Sequence, residues 1–256
     1  MSTLLFDEIV YGPVKSRRLG VSLGINISPA NGKRCTFNCI YCECGLNEER
    51  RTKTPAPSRE EVKQALTEKL TAMNASPDVI TFSGNGEPTM HPHFAAIIDD
   101  TLDVRDRLCP EAKVAVLSNS TMLHKEEVMQ ALCKVDENLM KLDAVSNDLI
   151  RQIDQPEIHD FTAKKLIEQL CRFRGKLTVQ TIFLEGEHNG VHIDNTRDED
   201  VAQWIEALKI IRPKKVMIYT INRETPVKTL RKTPVKTLEQ IAEKVRQACF
   251  DVSVSA

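Results

Sequence analysis

Six short β-rich runs alternate with amphipathic helical stretches along the chain, and that alternation restricts the fold more than any other feature. Strands are expected over residues 21–27, 78–82, 112–117, 139–145, 177–184 and 215–221. Each run is rich in Val, Ile, Leu or Thr and ends in a cluster of Gly, Pro, Asn or Ser, or in a change to polar composition. Helical patterns lie between them at 58–73, 94–108, 123–134, 160–173 and 201–211, with a last one at 238–249. The first starts at Ser58, with Glu61 three residues on as a capping box, and carries Val62, Ala65, Leu66, Leu70 and Met73 on one face. Alternating β and α units imply parallel strands joined by right-handed crossovers. Six units fall short of the eight that close a full barrel. The expected fold class is therefore α/β, an open (β/α)6 arc or partial barrel. Residues 1–20 read as an irregular arm, 21–224 as the core, and 225–256 as a C-terminal helical extension packed on it. The tail, 251–256, either adds an edge strand or frays.

The 256 residues suffice for one large domain with a real core. Net charge is −1, from 35 basic and 36 acidic side chains, so no global field draws the chain onto nucleic acid, and no DNA partner is expected. No apolar run approaches the length of a membrane span, and the N-terminus lacks the basic and apolar regions of a secretory leader, so a cytoplasmic location is expected. Cys109, Cys133, Cys171 and Cys249 sit singly in helical patterns and read as buried reduced thiols.

The other four cysteines lie in K-R-C-T-F-N-C-I-Y-C-E-C-G, residues 33–45, at the exit of the first strand. Cys35, Cys39 and Cys42 are spaced C-x3-C-x2-C, with Tyr41 before the third. Three thiolates on one loop suit one face of an iron–sulfur cube, which normally takes four cysteines, so one iron is left open for chemistry. The competing reading is a structural zinc site using Cys44 as fourth ligand, although zinc ribbons usually bring two separated C-x2-C pairs together.

Ser83-Gly84-Asn85-Gly86-Glu87-Pro88 follows the second strand. Its glycines permit close approach of the main chain to a ligand, and Glu87 offers an acceptor for an ammonium; alone, the motif reads as a turn. Ser118 and Asn119 end the third strand, where small polar groups suit ribose hydroxyls or cap the next helix. In the fourth strand Lys141 and Asp143 share one face, and Gln180 sits among apolar neighbours in the fifth. Arg17 and Arg18 are either solvated or a clamp for an anion, and Arg223 stands at the tip of the last strand. The polar stretch 185–200 reads as a mobile surface loop near the barrel mouth.

The cysteine spacing, the aromatic before Cys42, the Gly-x-Gly-Glu-Pro turn and the six βα units together resemble the radical S-adenosylmethionine (radical SAM) superfamily. The opening Y-G-P-V-K-S-R-R-L-G-V-S-L-G-I-N is similar to a compact wybutosine-synthesis-related group of Fe–S oxidoreductases within it. The resemblance implies a [4Fe–4S] cluster on Cys35, Cys39 and Cys42, with S-adenosylmethionine at the remaining iron. It further implies Tyr41 against the adenine, Gly84, Gly86 and Glu87 at the methionine amine, and Ser118 and Asn119 at the ribose. Reductive cleavage would give a 5′-deoxyadenosyl radical that takes hydrogen from a substrate. Asp143 and Arg223 are the candidates for facing cofactor or substrate. A low-potential flavodoxin or ferredoxin is the implied electron donor, and a protein, an RNA or a small molecule the substrate. The alternatives are an activase of a partner protein, a tRNA-modifying enzyme, and a non-enzymatic zinc or electron-transfer protein.

Overall fold

The structure, a computed structural model, describes residues 4–256; residues 1–3 of the expected arm lie outside the described part. Strand β1 (Val10–Ser16) folds back antiparallel on β2 (Gly20–Ile25). The arm expected to be irregular is thus a strand over 10–16. Pro13 hid it, because proline cannot donate to a sheet. Here β1 is the sheet's edge, and its register shifts between Tyr11 and Val14, where a missing donor is tolerated.

After β2 come the cysteine loop, a single helical turn α1 (Asn47–Arg50), α2 (Arg59–Ala72) and β3 (Val79–Phe82). A 3-10 turn at Pro88–Met90 leads into α3 (Phe94–Leu108), β4 (Lys113–Ser118), α4 (Glu126–Lys134) and β5 (Glu137–Lys141). Then follow α5 (Asn147–Ile153), α6 (Ala163–Cys171), β6 (Thr178–Ile182), β7 (Leu184–His188) and β8 (Val191–Asp194). The chain ends with α7 (Asp198–Ile211), β9 (Lys215–Tyr219), β10 (Arg231–Lys232), α8 (Val235–Gln247) and β11 (Val252–Ser255).

One sheet has the order β1-β2-β3-β4-β5-β6-β9-β11. The six expected strands are β2, β3, β4, β5, β6 and β9, all parallel and in sequence order. The tail joins them as β11, a parallel neighbour of β9, so the C-terminal extension is a helix plus a strand. The sheet curls into a half-barrel. Arg18, in the β1–β2 turn, lies 4.6 Å from the centre of the Tyr219 ring at the end of β9, although four strands separate β2 from β9.

The helices cover the outer face. Leu66, Ile98, Leu132, Leu170, Leu208 and Ile241 bring α2, α3, α4, α6, α7 and α8 into one apolar cluster with the strands. Each such side chain contributes about 1.5–3 kcal/mol of burial. The capping box starts α2 as expected: Ser58 Oγ accepts from Glu61 N at 3.2 Å and Ser58 N donates to Glu61 Oε2 at 2.6 Å, worth about 1 kcal/mol. On the concave face Val79, Ala115, Leu139 and Met217 pack together, with Leu19 and Leu117 against them. The turn that carries Arg18 therefore also inserts a leucine into the barrel interior.

Residues 185–200, expected as a loop, are instead the hairpin β7–β8 and the start of α7, with β10 paired to β7. Asn189 and Gly190 both have positive φ, 52° and 75°, the backbone of a two-residue hairpin turn. The acidic composition masked an inward row of Leu184, Gly186 and Ile193, of which the two apolar residues join a cluster with Ile40 and Ile150. Of the four scattered cysteines, Cys109 is buried as expected; Cys171 is half-buried, and Cys133 and Cys249 are exposed near the ends of their helices. Among the described residues no helix is long and apolar enough to cross a membrane.

Candidate active site

The cysteine loop is tied down on two sides. Arg34 N donates to Asn85 O at 3.0 Å and Arg34 O accepts from Glu87 N at 2.9 Å, a parallel bridge to Gly86. Opposite, Asn38 N donates to Asp154 O at 2.9 Å and Ile40 N to Ile153 O at 3.0 Å, at the end of α5. Inside the loop, Cys42 N reaches Cys39 O at 3.1 Å and Gly45 N reaches Cys42 O at 2.9 Å, two successive turns. Gly86 is required by this docking, and Gly84 by the close approach of Asn26. A Cβ on Gly84 would fall 2.4 Å from Asn26 Oδ1, and one on Gly86 1.9 Å from Arg34 O. Asn85 between them is fully buried: Oδ1 accepts from Phe6 N at 2.8 Å, and Nδ2 donates to Phe6 O at 2.8 Å and Pro29 O at 3.0 Å. The inserted asparagine thus staples the segment before β1 to the exit of β2.

All eight cysteines are free. Burial pushes the Cys35 thiol up to about 12, against Lys33, and the Cys39 thiol well above its usual range, against Lys141. Cys42 is held down, first by the hydrogen bond from Cys44 and then by Lys33. Cys44 is buried and its Sγ donates to Gly84 O at 3.4 Å. The Lys33 ammonium, also buried, donates to Gly45 O at 2.9 Å. Three soft sulfur donors within eight residues, next to buried cations that offset thiolate charge, fit an iron–sulfur cluster. Among the described residues no three His, Cys, Asp or Glu side chains are gathered as ligands of one metal ion would be.

Two polar networks support the loop. In the first, Glu87 Oε1 accepts from Thr89 N at 3.0 Å and Ser118 Oγ at 2.9 Å, and Oε2 accepts from Asn119 N at 2.6 Å. Asn119 Nδ2 then donates to Cys35 Sγ at 3.6 Å and Thr36 Oγ1 at 2.9 Å. In the second, Lys141 Nζ pairs with Asp143 Oδ2 at 2.5 Å and Asp154 Oδ1 at 3.1 Å, and also donates to the Tyr41 hydroxyl. The Tyr41 hydroxyl donates to Asp143, whose Oδ1 accepts from Ile182 N at 3.0 Å. Burial works to lower the Lys141 pKa, but Asp143 and Asp154 carry it well above its usual value.

A cavity of about 430 Å³ opens under the loop. Tyr41, Cys42, Cys44 and Gly84 border one end, and Leu19, Ser22, Thr81 and Leu117 line its barrel wall. Arg223 stands at the cavity and pairs with Glu43 at 2.6 Å.

The sequence model of the Radical SAM superfamily matches residues 32–199, which holds the cysteine loop, the glycine motif and strands β3 to β8. The chain belongs to the radical SAM superfamily. It is 30% identical over 224 residues to a UPF0026 protein of Helicobacter pylori, covering 86% of this chain and 68% of that one. Its fold is similar to that of Streptococcus suis SuiB bound to S-adenosylmethionine, with TM-score 0.65 and 13% identity over 88% of this chain. The chain spans about half, 49%, of SuiB. TYW1 with a lysine–pyruvate adduct bound has the same fold, with TM-score 0.62 and 13% identity over 88% of this chain and 73% of TYW1.

Beyond Cys35 and Cys39, the expected site residues fall into two groups. Tyr41, Gly84, Cys42 and Arg223 border the cavity. Gly86, Glu87, Ser118, Asn119 and Asp143 stand behind the loop. The Glu87 carboxylate is taken up by Thr89, Ser118 and Asn119, and the Asn119 amide is turned toward Cys35. Asp143 lies two residues past β5 rather than within the strand. Gln180 is structural, donating to Leu139 O at 3.1 Å and accepting from Arg18 Nη1 at 2.8 Å. Sequence reading did not single out Asp154, Lys33 or Lys15. Asp154 and Lys33 gain meaning from buried contacts, and Lys15 from the cavity wall, none of which spacing in the chain encodes.

Proposed function

We propose that this chain is a radical SAM enzyme whose [4Fe–4S] cluster is held by Cys35, Cys39 and Cys42, and whose substrate enters the half-barrel cavity. The observation that carries the reading is that one end of the cavity is bordered by Cys42, Tyr41 and the Gly84 backbone. When bound, the cluster and S-adenosylmethionine supply one-electron cleavage of the sulfonium bond, giving methionine and a 5′-deoxyadenosyl radical that abstracts hydrogen.

The protein's own part is placement. Asp143 and Lys141 fix the Tyr41 ring at the cavity edge through its hydroxyl. The backbone at Ser83 and Gly84, which borders the cavity, would meet the amine of the cofactor, with Asn85 N held by Asn26 Oδ1 behind it. Glu87 orients Ser118 and Asn119, and Asn119 donates to the sulfur of Cys35, so these residues would position the cluster ligand. The Leu19 and Leu117 wall limits water in the chamber. Arg223, paired with Glu43, borders the substrate space, and Asp143 positions Tyr41. A low-potential flavodoxin or ferredoxin delivers the electron.

The test is anaerobic reconstitution with iron and sulfide, followed by dithionite and S-adenosylmethionine. The expected result is a brown protein that releases 5′-deoxyadenosine and methionine. A colourless protein, or one with a full cluster and no 5′-deoxyadenosine, overturns the reading.

A further inference from the structure

Positive charge collects on the cavity wall. Four cationic side chains, Lys15, Arg17, Arg18 and Arg223, line it against one carboxylate, Glu43. Glu43 is taken by Arg223 at 2.6 Å. Arg18 is held by Gln180 Oε1 at 2.8 Å and by the Tyr219 ring beneath it. Lys15 and Arg17 make no side-chain hydrogen bond or ion pair among the described residues; Lys15 lies at the end of β1 and Arg17 in the turn that follows it, and both line the cavity. Partial burial and the neighbouring Arg18 pull Arg17 below its usual pKa, and Glu43, already paired with Arg223, offsets only part of that pull.

A chain of net charge −1 that lines its reaction chamber with two exposed cations lacking an ion-pair partner has a use for them there. We propose that the half-barrel binds a small organic anion, with Arg17 and Lys15 receiving its carboxylate or phosphate and Arg18 marking the inner limit of the site. The proposal names the substrate class of the function given above and rests on that cavity being the substrate chamber. A polyanion such as RNA is disfavoured because these cations face a cavity of about 430 Å³, and the exposed charges around the fold are largely paired with one another. Arginine suits the task, since its planar fork meets a carboxylate or phosphate in two hydrogen bonds.

The experiment is calorimetric titration of anaerobically reconstituted protein at fixed ionic strength with malonate, inorganic phosphate, neutral malonamide and a mixed-sequence RNA oligonucleotide. Malonate or phosphate should bind saturably and malonamide should not; whichever of the two binds better identifies a carboxylate or a phosphate substrate. Arg17→Gln should weaken that binding by roughly tenfold and Arg17→Lys by less. Lys15→Gln is the second variant; both side chains are exposed, and melting curves confirm that each variant is folded. The affinity for S-adenosylmethionine, measured in parallel, should change less than about twofold on Arg17→Gln. The proposal is overturned if neither anion binds the wild type, if Arg17→Gln and Lys15→Gln both bind as the wild type does, or if Arg17→Gln weakens S-adenosylmethionine equally. That last result would assign these cations to the cofactor's carboxylate. RNA binding that is tighter than either anion and depends on Arg17 also overturns it. Failure to cleave S-adenosylmethionine with anion binding intact counts against the functional reading and leaves the anion site standing.

Discussion

Cys39 and Lys141 meet on a single oxygen. Asp154 Oδ1 accepts from Cys39 Sγ at 3.5 Å and pairs with Lys141 Nζ at 3.1 Å. A ligand of the expected cluster is thereby wired to the buried lysine that also fixes Asp143 and, through it, Tyr41.

Because Lys141 serves two carboxylates, it should matter more than either. Lys141→Met leaves Asp143 and Asp154 buried together without a cation and should cost about 3–5 kcal/mol. Asp154→Asn keeps the shape and leaves Lys141 paired with Asp143, so its cost should be about 1–2 kcal/mol. Urea unfolding of both variants under reducing, anaerobic conditions compares them, and the reverse order would refute the shared-lysine account.

The cysteines should divide three against one. Cys35→Ala, Cys39→Ala or Cys42→Ala should each lower bound iron well below the roughly four atoms of a full cube. Cys44→Ala should retain it, since the Cys44 thiol is turned to Gly84 O, at 3.4 Å. Iron and sulfide analysis after reconstitution decides the point; loss of iron in Cys44→Ala would restore a four-cysteine site.

Two glycines with positive φ offer a controlled comparison. Gly86→Ala puts a methyl 1.9 Å from the Arg34 carbonyl at φ 145° and should cost more than about 3 kcal/mol or prevent soluble expression. Gly190→Ala, at φ 75° with nothing within 4 Å, should cost about 1 kcal/mol from backbone strain alone. Equal melting temperatures for the two would show that the cysteine loop does not dock on Gly86.

His91 should make stability fall on mild acidification. Its Nε2 bonds Pro57 O at 2.9 Å while Nδ1 accepts from His93 N at 3.1 Å, so the fold holds the neutral ring. Burial lowers its pKa from 6.5. The unfolded chain then binds more protons than the folded one as pH falls through about 6.5, and the stabilising contribution of the neutral ring is lost below that. Thermal melts of the apoprotein between about pH 8 and 5.5 should show a decline that is shallower in His91→Gln. Parallel curves for the two proteins would rule the histidine out.

Much of the fold was legible because its signals are local. The capping box at Ser58 and Glu61 joins residues three apart, and strands such as Val79–Phe82 announce themselves as continuous apolar runs. The hairpin at Leu184–Asp194 was missed although Asn189-Gly190 is a strong turn signal, because acidic residues on its solvent side outweighed the alternation on the other. At the site, cysteine spacing identified the ligand loop and the glycine motif its neighbour. The functions assigned to Glu87, Ser118 and Asn119 were less complete, since their polar atoms are shared among one another and with Cys35.

The sequence by itself determined the alternating strands and helices, the shortfall from a closed barrel, and the three-cysteine loop at the exit of the first parallel strand. These follow from periodicity and spacing over a few residues. Tertiary structure decided what the loop rests on and what its cavity holds. The bond from Arg18 to Gln180 spans 162 positions, and the one from Cys39 to Asp154 spans 115. Such pairs arise when a curled sheet brings distant strand ends together, and a buried charge or amide must then find its partner in whatever side chain the curl delivers.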